Sequence, residues 1–268
     1  MVRLSLKYAK SLLILVILFS SALFGWLCLN QKNHARLLVE LNSENIPVVH
    51  LDIQGQLLPL TINLGSKFPL ALNKEVLSQM KKKSLGNLSV RNLRGEENFI
   101  STYQIPHFNI GAFKFDHVLA IEEEGVGSIG RFIGDNHNLL LDIANSTIVL
   151  CDDSTYVEKI GYFLKSMVKI DKEMSRIGPC ISVHTEKGVL KLVLSTSSPF
   201  SLIKFSRINT QVPWISWLSI NGKDFGSQQF HPFAISSELE EVDGILGMDF
   251  IKNHVIYIDN QKEVIFIE

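Results

Sequence analysis

The chain has 268 residues, 46% of them hydrophobic, and its 26 basic and 27 acidic side chains leave a net charge of −1. That is enough apolar material for one large or two modest cores. Balanced charge without a long basic or acidic block argues against a nucleic-acid footprint, and eight prolines and seventeen glycines give no sign of a low-complexity region.

The first element is apolar. Ser11 to Leu29 contains no charge and follows Arg3, Lys7 and Lys10. At 1.5 Å per residue it matches a bilayer core of about 30 Å. Residues 1–30 are therefore expected to be a basic segment and membrane anchor, with the span at 11–29. The basic flank places the N-terminus inside and the rest of the chain in a periplasmic or extracellular space. Ser20 and Ala22 fit the rival reading, a cleaved signal and a secreted product. Continuation of the apolar run through Phe24, Trp26 and Leu27 favours the anchor. In an exported domain Cys151 and Cys180 are candidates for a disulfide; the alternative is two unrelated small apolar residues.

Short β-type runs follow, beginning with Val48 to Ile62, where Gln54-Gly55-Gln56 separates two apolar stretches and predicts a hairpin. Helices are predicted at Asn73 to Lys83 and Ser154 to Val168. The remainder reads as strand and turn.

The chain also repeats itself. Ser128 to Leu150 aligns without a gap to Ile245 to Ile267, an offset of 117 that pairs Gly130 with Gly247, Asn136 with Asn253, His137 with His254 and Asp142 with Asp259. A register kept over so many positions is not expected by chance. Leu58 to Leu72 pairs with Leu190 to Ile203, which sets Asn63 against Ser195. Two lobes are predicted, at 31–153 and 179–268, joined by 154–178 and facing each other across a cleft.

With these residues in view the sequence resembles the aspartic protease superfamily, pepsin-like and retropepsin-like. Residues 242–268, "VDGILGMDFIKNHVIYIDNQKEVIFIE", match that family's closing signature, and Thr102 to Phe115 and Trp217 to Phe225 fit its mid-lobe hairpins. The resemblance covers most of residues 47 to 268. It implies a mostly β, two-lobed β-barrel fold, here behind a transmembrane helix.

The family motif is apolar-Asp-Thr/Ser-Gly, once in each lobe. Two adjoining carboxyls share one proton; the ionised one takes a proton from water and the other protonates the carbonyl. The hydroxyl after each Asp buttresses the loop. In this chain the first motif reads Asn63-Leu64-Gly65-Ser66 and the second Ser195-Thr196-Ser197-Ser198. Neither catalytic position is an acid. Asn63 cannot act as a general base near neutral pH, and an unactivated Ser195 hydroxyl is no substitute. The resemblance thus implies a pseudoprotease whose Asn63, Gly65, Ser66, Ser195, Thr196 and Ser197 contact a peptide or protein segment added as a strand in the cleft. A peptidase with another catalytic pair and a pure interaction scaffold are the alternatives.

Other residues read as structural. Asp243 is expected to position a loop, Asp142 and Asp259 to start turns, and His137 and His254 to bond within loops rather than hold a metal. Tyr103 is a candidate flap residue, with strand packing as the plainer reading. No phosphate loop, metal-ligand cluster or dinucleotide fingerprint is present in the sequence, so no cofactor is expected.

Overall fold

The computed structural model describes residues 34–91, 96–131, 133, 136–175, 178–207, 214–234 and 241–268. The expected span at 11–29 lies outside them. Among the described residues no helix is long and apolar enough to cross a membrane.

The first lobe holds β1 (His34–Leu38), β2 (Glu40–Leu41), β3 (Pro47–Ile53), β4 (Gln56–Asn63) and β5 (Leu70–Leu72), then helix α1 (Lys74–Gln79). It continues through β6 (Lys83–Arg91), β7 (Glu97–Ile110), β8 (Phe113–Glu122), β9 (Ser128–Gly130), β10 (Asn138–Asp142) and β11 (Thr147–Cys151). Helix α2 (Ser154–Lys159) and a 3-10 turn lead to β12 (Val168–Asp171) and β13 (Glu173–Ser175). The second lobe begins with β14 (Gly178–Thr185), β15 (Gly188–Leu194), β16 (Leu202–Lys204), β17 (Trp214–Ile215), β18 (Leu218–Ile220) and β19 (Lys223–Asp224). It ends with β20 (Gln228–Gln229), β21 (His231–Phe233), β22 (Gly244–Leu246), helix α3 (Met248–Ile251), β23 (Ile256–Asp259) and β24 (Val264–Ile267).

Each lobe is built on an eight-stranded sheet, ordered β2-β3-β4-β9-β5-β8-β7-β6 in the first and β19-β18-β14-β15-β22-β16-β21, with β13 beside β14, in the second. The predicted hairpin is present: Ile53 faces Gln56, and Gln54 and Gly55 both take positive φ (57° and 82°), the tight turn that suits the strand twist. Alternation along β4 turns Leu58, Leu60 and Ile62 into the core. Each such side chain contributes about 1.5–3 kcal/mol by leaving water. The expected barrel is not what forms. Both large sheets are open paths with edge strands, because their terminal strands pair on one side only among the described residues.

Register explains the repeat. Hairpin β3–β4 sets Val48 opposite Thr61, and β14–β15 sets Cys180 opposite Val193, the same pairing 132 residues later. The closing hairpins meet in a six-stranded sheet ordered β1-β11-β10-β23-β24-β12, three strands from either side of the pseudo-twofold axis. Across its centre Leu140 faces Tyr257. These two residues are equivalents in the 117-residue repeat, and a residue paired with its own counterpart lies on that axis.

Both predicted helices are shorter than expected. Asn73 caps α1 by accepting the Val76 N–H at 2.9 Å, but the chain turns extended at Met80. There the Gln54 side chain exchanges hydrogen bonds with the Lys81 backbone and draws the chain toward β6. Helix α2 stops at Lys159, and Gly161, just past the C-cap Ile160, has a φ of +105° that suits a glycine stop. Val157 of α2 packs with Leu164, Met167, Cys151 and Tyr257 in a second, smaller core against the six-stranded sheet. Cys151 and Cys180 are both buried free thiols, not a disulfide. Burial raises their pKa values to about 12 and about 11.

Candidate functional site

Strands β4 and β15 each deliver one loop to the junction of the lobes. β4 runs parallel to β9 with Asn63 opposite Gly130; β15 runs parallel to β22, and the Ser195 N–H reaches the Leu246 carbonyl at 3.0 Å. The Asn63 carboxamide accepts the Gly65 N–H at 3.0 Å and its backbone carbonyl accepts the Ser66 N–H at 3.1 Å, so the side chain folds its own turn. Across the axis the Ser195 and Ser197 hydroxyls lie 3.2 Å apart. Serine in one loop thus stands where Gly65 stands in the other.

The loops are tied together by one side chain. The Thr196 hydroxyl accepts the Leu64 N–H at 3.1 Å and donates to the Ile62 carbonyl at 2.6 Å. These two groups flank Asn63 in sequence, so the bonds hold Asn63 beside the residue before Thr196, which is Ser195. The symmetric position holds Leu64, whose buried side chain offers no hydroxyl in return. Thr196 is 0% exposed, so its place is between the lobes rather than against a ligand. Replacing it by Val is expected to lower stability by about 2–3 kcal/mol, because an isosteric change strands a buried N–H and a carbonyl. Urea unfolding of the variant beside the natural protein measures this; a loss below about 0.5 kcal/mol would remove the tie from the account.

Beyond the turn, Ser66 accepts the Phe68 N–H and donates to the Phe68 carbonyl, and Ser198 likewise donates to the Phe200 carbonyl. Ser197 is exposed, and Asn63, Gly65 and Ser66 are half-buried. Within residues 63–68 and 195–200 the sole ionisable side chain is Lys67, whose Nζ lies 5.3 Å from the centre of the Phe68 ring. The two loops therefore present amide and hydroxyl groups, suited to hydrogen-bonding a peptide backbone, and no carboxylate to activate water.

The other residues singled out in the sequence take the following places. Asp243, 8% exposed, accepts the Lys191 N–H at 2.9 Å and the Arg207 guanidinium at 2.6 Å. Asp142 accepts from Asn145, and Asp259 from Lys262, each at a turn. His137 meets Asp152 at 3.2 Å, while His254 meets the Glu268 carbonyl and packs on Phe225 and Phe250. Burial lowers the pKa of His254. Tyr103 lies in β7 between Ser84 and Ala120, its hydroxyl 3.0 Å from Glu122. Among the described residues no group of three or more His, Cys, Asp and Glu side chains is placed to hold a metal.

One network carried no signal in the sequence. The Ser201 hydroxyl accepts the Gly247 N–H at 3.1 Å and donates to Asp249 at 2.7 Å, while Gln228 donates to the same carboxylate at 2.9 Å. It braces the second lobe's loop. At the same 132-residue offset the first lobe has Pro69, whose backbone carbonyl takes the Gly130 N–H in place of a side chain, so the repeat did not point to it.

No protein-family model matches the chain, and no curated protein matches its sequence. Solved structures do. The chain is similar to basic 7S globulin from soybean (TM-score 0.59, 10% identity, covering 88% of this chain and 95% of that one). It is similar to conglutin gamma, a basic 7S globulin from lupine seeds (TM-score 0.59, 11% identity, 89% and 95%). It is also similar to an aspartic proteinase from Irpex lacteus (TM-score 0.60, 10% identity, 88% and 97%). The fold is aspartic-protease-like. A fold shared by globulins and a proteinase does not by itself assign catalysis.

Proposed function

We propose that this aspartic-protease-like chain is a catalytically silent binding protein, taking an extended peptide or protein segment between its lobes. The observation that carries the reading is the pair Asn63 and Ser195. They occupy the two strand ends tied by Thr196, where acid-base cleavage needs carboxyls, and neither has one. What the loops retain is hydrogen-bonding capacity for a strand-like ligand. In this reading residues 11–29 hold the protein at a membrane, with the lobes on the exo-cytoplasmic side.

The test uses the full chain in mild detergent and a diverse peptide pool from pH 3 to pH 8. The expected result is no hydrolysis, together with slowed amide exchange at 63–68 and 195–200 when peptide binds. Turnover abolished by Asn63→Ala would establish a working peptidase instead. Absence of both turnover and loop protection would leave the fold as a scaffold.

A further inference from the structure

The first lobe's sheet ends on β6, whose one strand partner among the described residues is β7. Along its other edge, backbone N–H and C=O groups point outward over a nine-residue strand, and eight of those nine residues are exposed. Proteins blunt such edges with lysine, bulges or proline. In β6 these devices crowd one end, at Lys83 and the bulge between Ser84 and Gly86. From Gly86 to Val90 the register to β7 is unbroken, and the sequence Gly-Asn-Leu-Ser-Val has neither charge nor proline. Apolar side chains stand out beside it: Leu85 is 49% exposed, Leu88 40% and Phe99 75%. A long, open edge with exposed apolar residues is the surface that accepts another strand.

We propose that β6 is a docking edge that takes an extended, acidic segment of a partner protein as an added strand. The charge pattern names the occupant. Residues 81–91 hold Lys81, Lys82, Lys83 and Arg91 and no acid, and Glu97 stands opposite Arg91, so the basic surplus lies at the Lys81–Lys83 end. A second copy of the chain offers no matching charge along this strand: residues 81–91 hold no acid, so antiparallel self-pairing of β6 brings no carboxylate of the facing strand to the Lys81–Lys83 end. The docking edge does not depend on what the interlobe loops bind.

The test takes the full chain in mild detergent with two fluorescent peptides of alternating Thr and Val, one ending in three glutamates and one in three lysines. The acidic peptide is expected to bind at least about tenfold tighter, the worth of two or three partly solvated charge pairs. Its binding is expected to slow amide exchange from Asn87 to Val90. The surface variant Lys81→Glu/Lys83→Glu should reverse the preference while keeping the urea midpoint of the natural protein. Equal affinity for both peptides, no binding of either, or protection at the 63–68 and 195–200 loops in place of β6 would overturn the proposal. So would a concentration-dependent dimer with β6 protected and no peptide present, which assigns the edge to a second copy.

Discussion

Gly247→Ala and Gly130→Ala are each expected to destabilise the protein by at least about 4 kcal/mol, a large share of the roughly 5–15 kcal/mol that holds a typical domain folded. A Cβ at Gly247 would stand 2.4 Å from the Phe200 carbonyl oxygen and 2.8 Å from that of Ser198. At Gly130 it would stand 2.0 Å from the Phe68 oxygen and 2.9 Å from that of Ser66. These are backbone atoms of the two candidate loops, so no rotamer change relieves the clash. Yielding would break the bonds that close each loop, from Arg131 N–H to Ser66 and from Met248 N–H to Ser198. Gly161→Ala is the control: nothing lies within 4 Å of its added carbon, and its φ of +105° makes the cost conformational, about 1–2 kcal/mol. Urea midpoints of the three variants measure the difference. If Gly247→Ala behaves like Gly161→Ala, the close approach is not real.

The same two glycines show why this fold was legible in the sequence although no family model matches it. Gly130 and Gly247 are fixed by backbone crowding, which admits one residue type, and so they survive as a pair in register. Strand-end positions 63 and 195 emerged by the same route, since the early hairpins keep their pairing 132 residues apart. What stayed hidden depends on contacts that no local pattern encodes. The pairing of β10 with β23 joins strands of unremarkable apolar sequence, and only the coincidence of Leu140 with Tyr257 ties it to the repeat. The helix ends were missed because a distant turn at Gln54 decides where α1 stops. Barrel closure was carried over from the resemblance, and the observed sheets stay open. The lone tie from Thr196 was half visible: the threonine could be read from the sequence, but its acceptance of an N–H from Leu64 is a contact across 132 residues.

The double variant Asn63→Asp/Ser195→Asp is expected to differ from the natural protein in two separable ways. Ser195 is 6% exposed and Asn63 half-buried, and Thr196 bonds to both neighbours of Asn63, so carboxyls introduced at the two positions are expected to be partly desolvated and to repel each other when both ionise. One of them is therefore raised above the ordinary carboxyl pKa of about 4, and the pair shares a proton. An acid whose folded pKa is raised binds its proton more tightly folded than unfolded. The variant should then be most stable below about pH 4 and lose stability as pH climbs through the raised folded value, about 1.4 kcal/mol for each unit of raising. Neither single variant should show the repulsive part. Urea unfolding at pH 4.5 and pH 7.5 reads this without any substrate, and equal pH dependence in all three variants would mean that the two positions do not meet. Catalysis asks for more, because a shared proton is useful only if the cleft also seats a peptide and a water. If it does, the double variant should hydrolyse the peptide pool between pH 3 and pH 6 at least about 10²-fold faster than the natural protein, the low end of what acid-base catalysis supplies. Coupled titration with turnover would mean that a carboxyl at each of these two positions is what this scaffold needs to cleave a peptide. Coupled titration without turnover would place a further departure in the loops, and Leu64 and Ser197, where the motif calls for a hydroxyl and a glycine, are the residues to restore next.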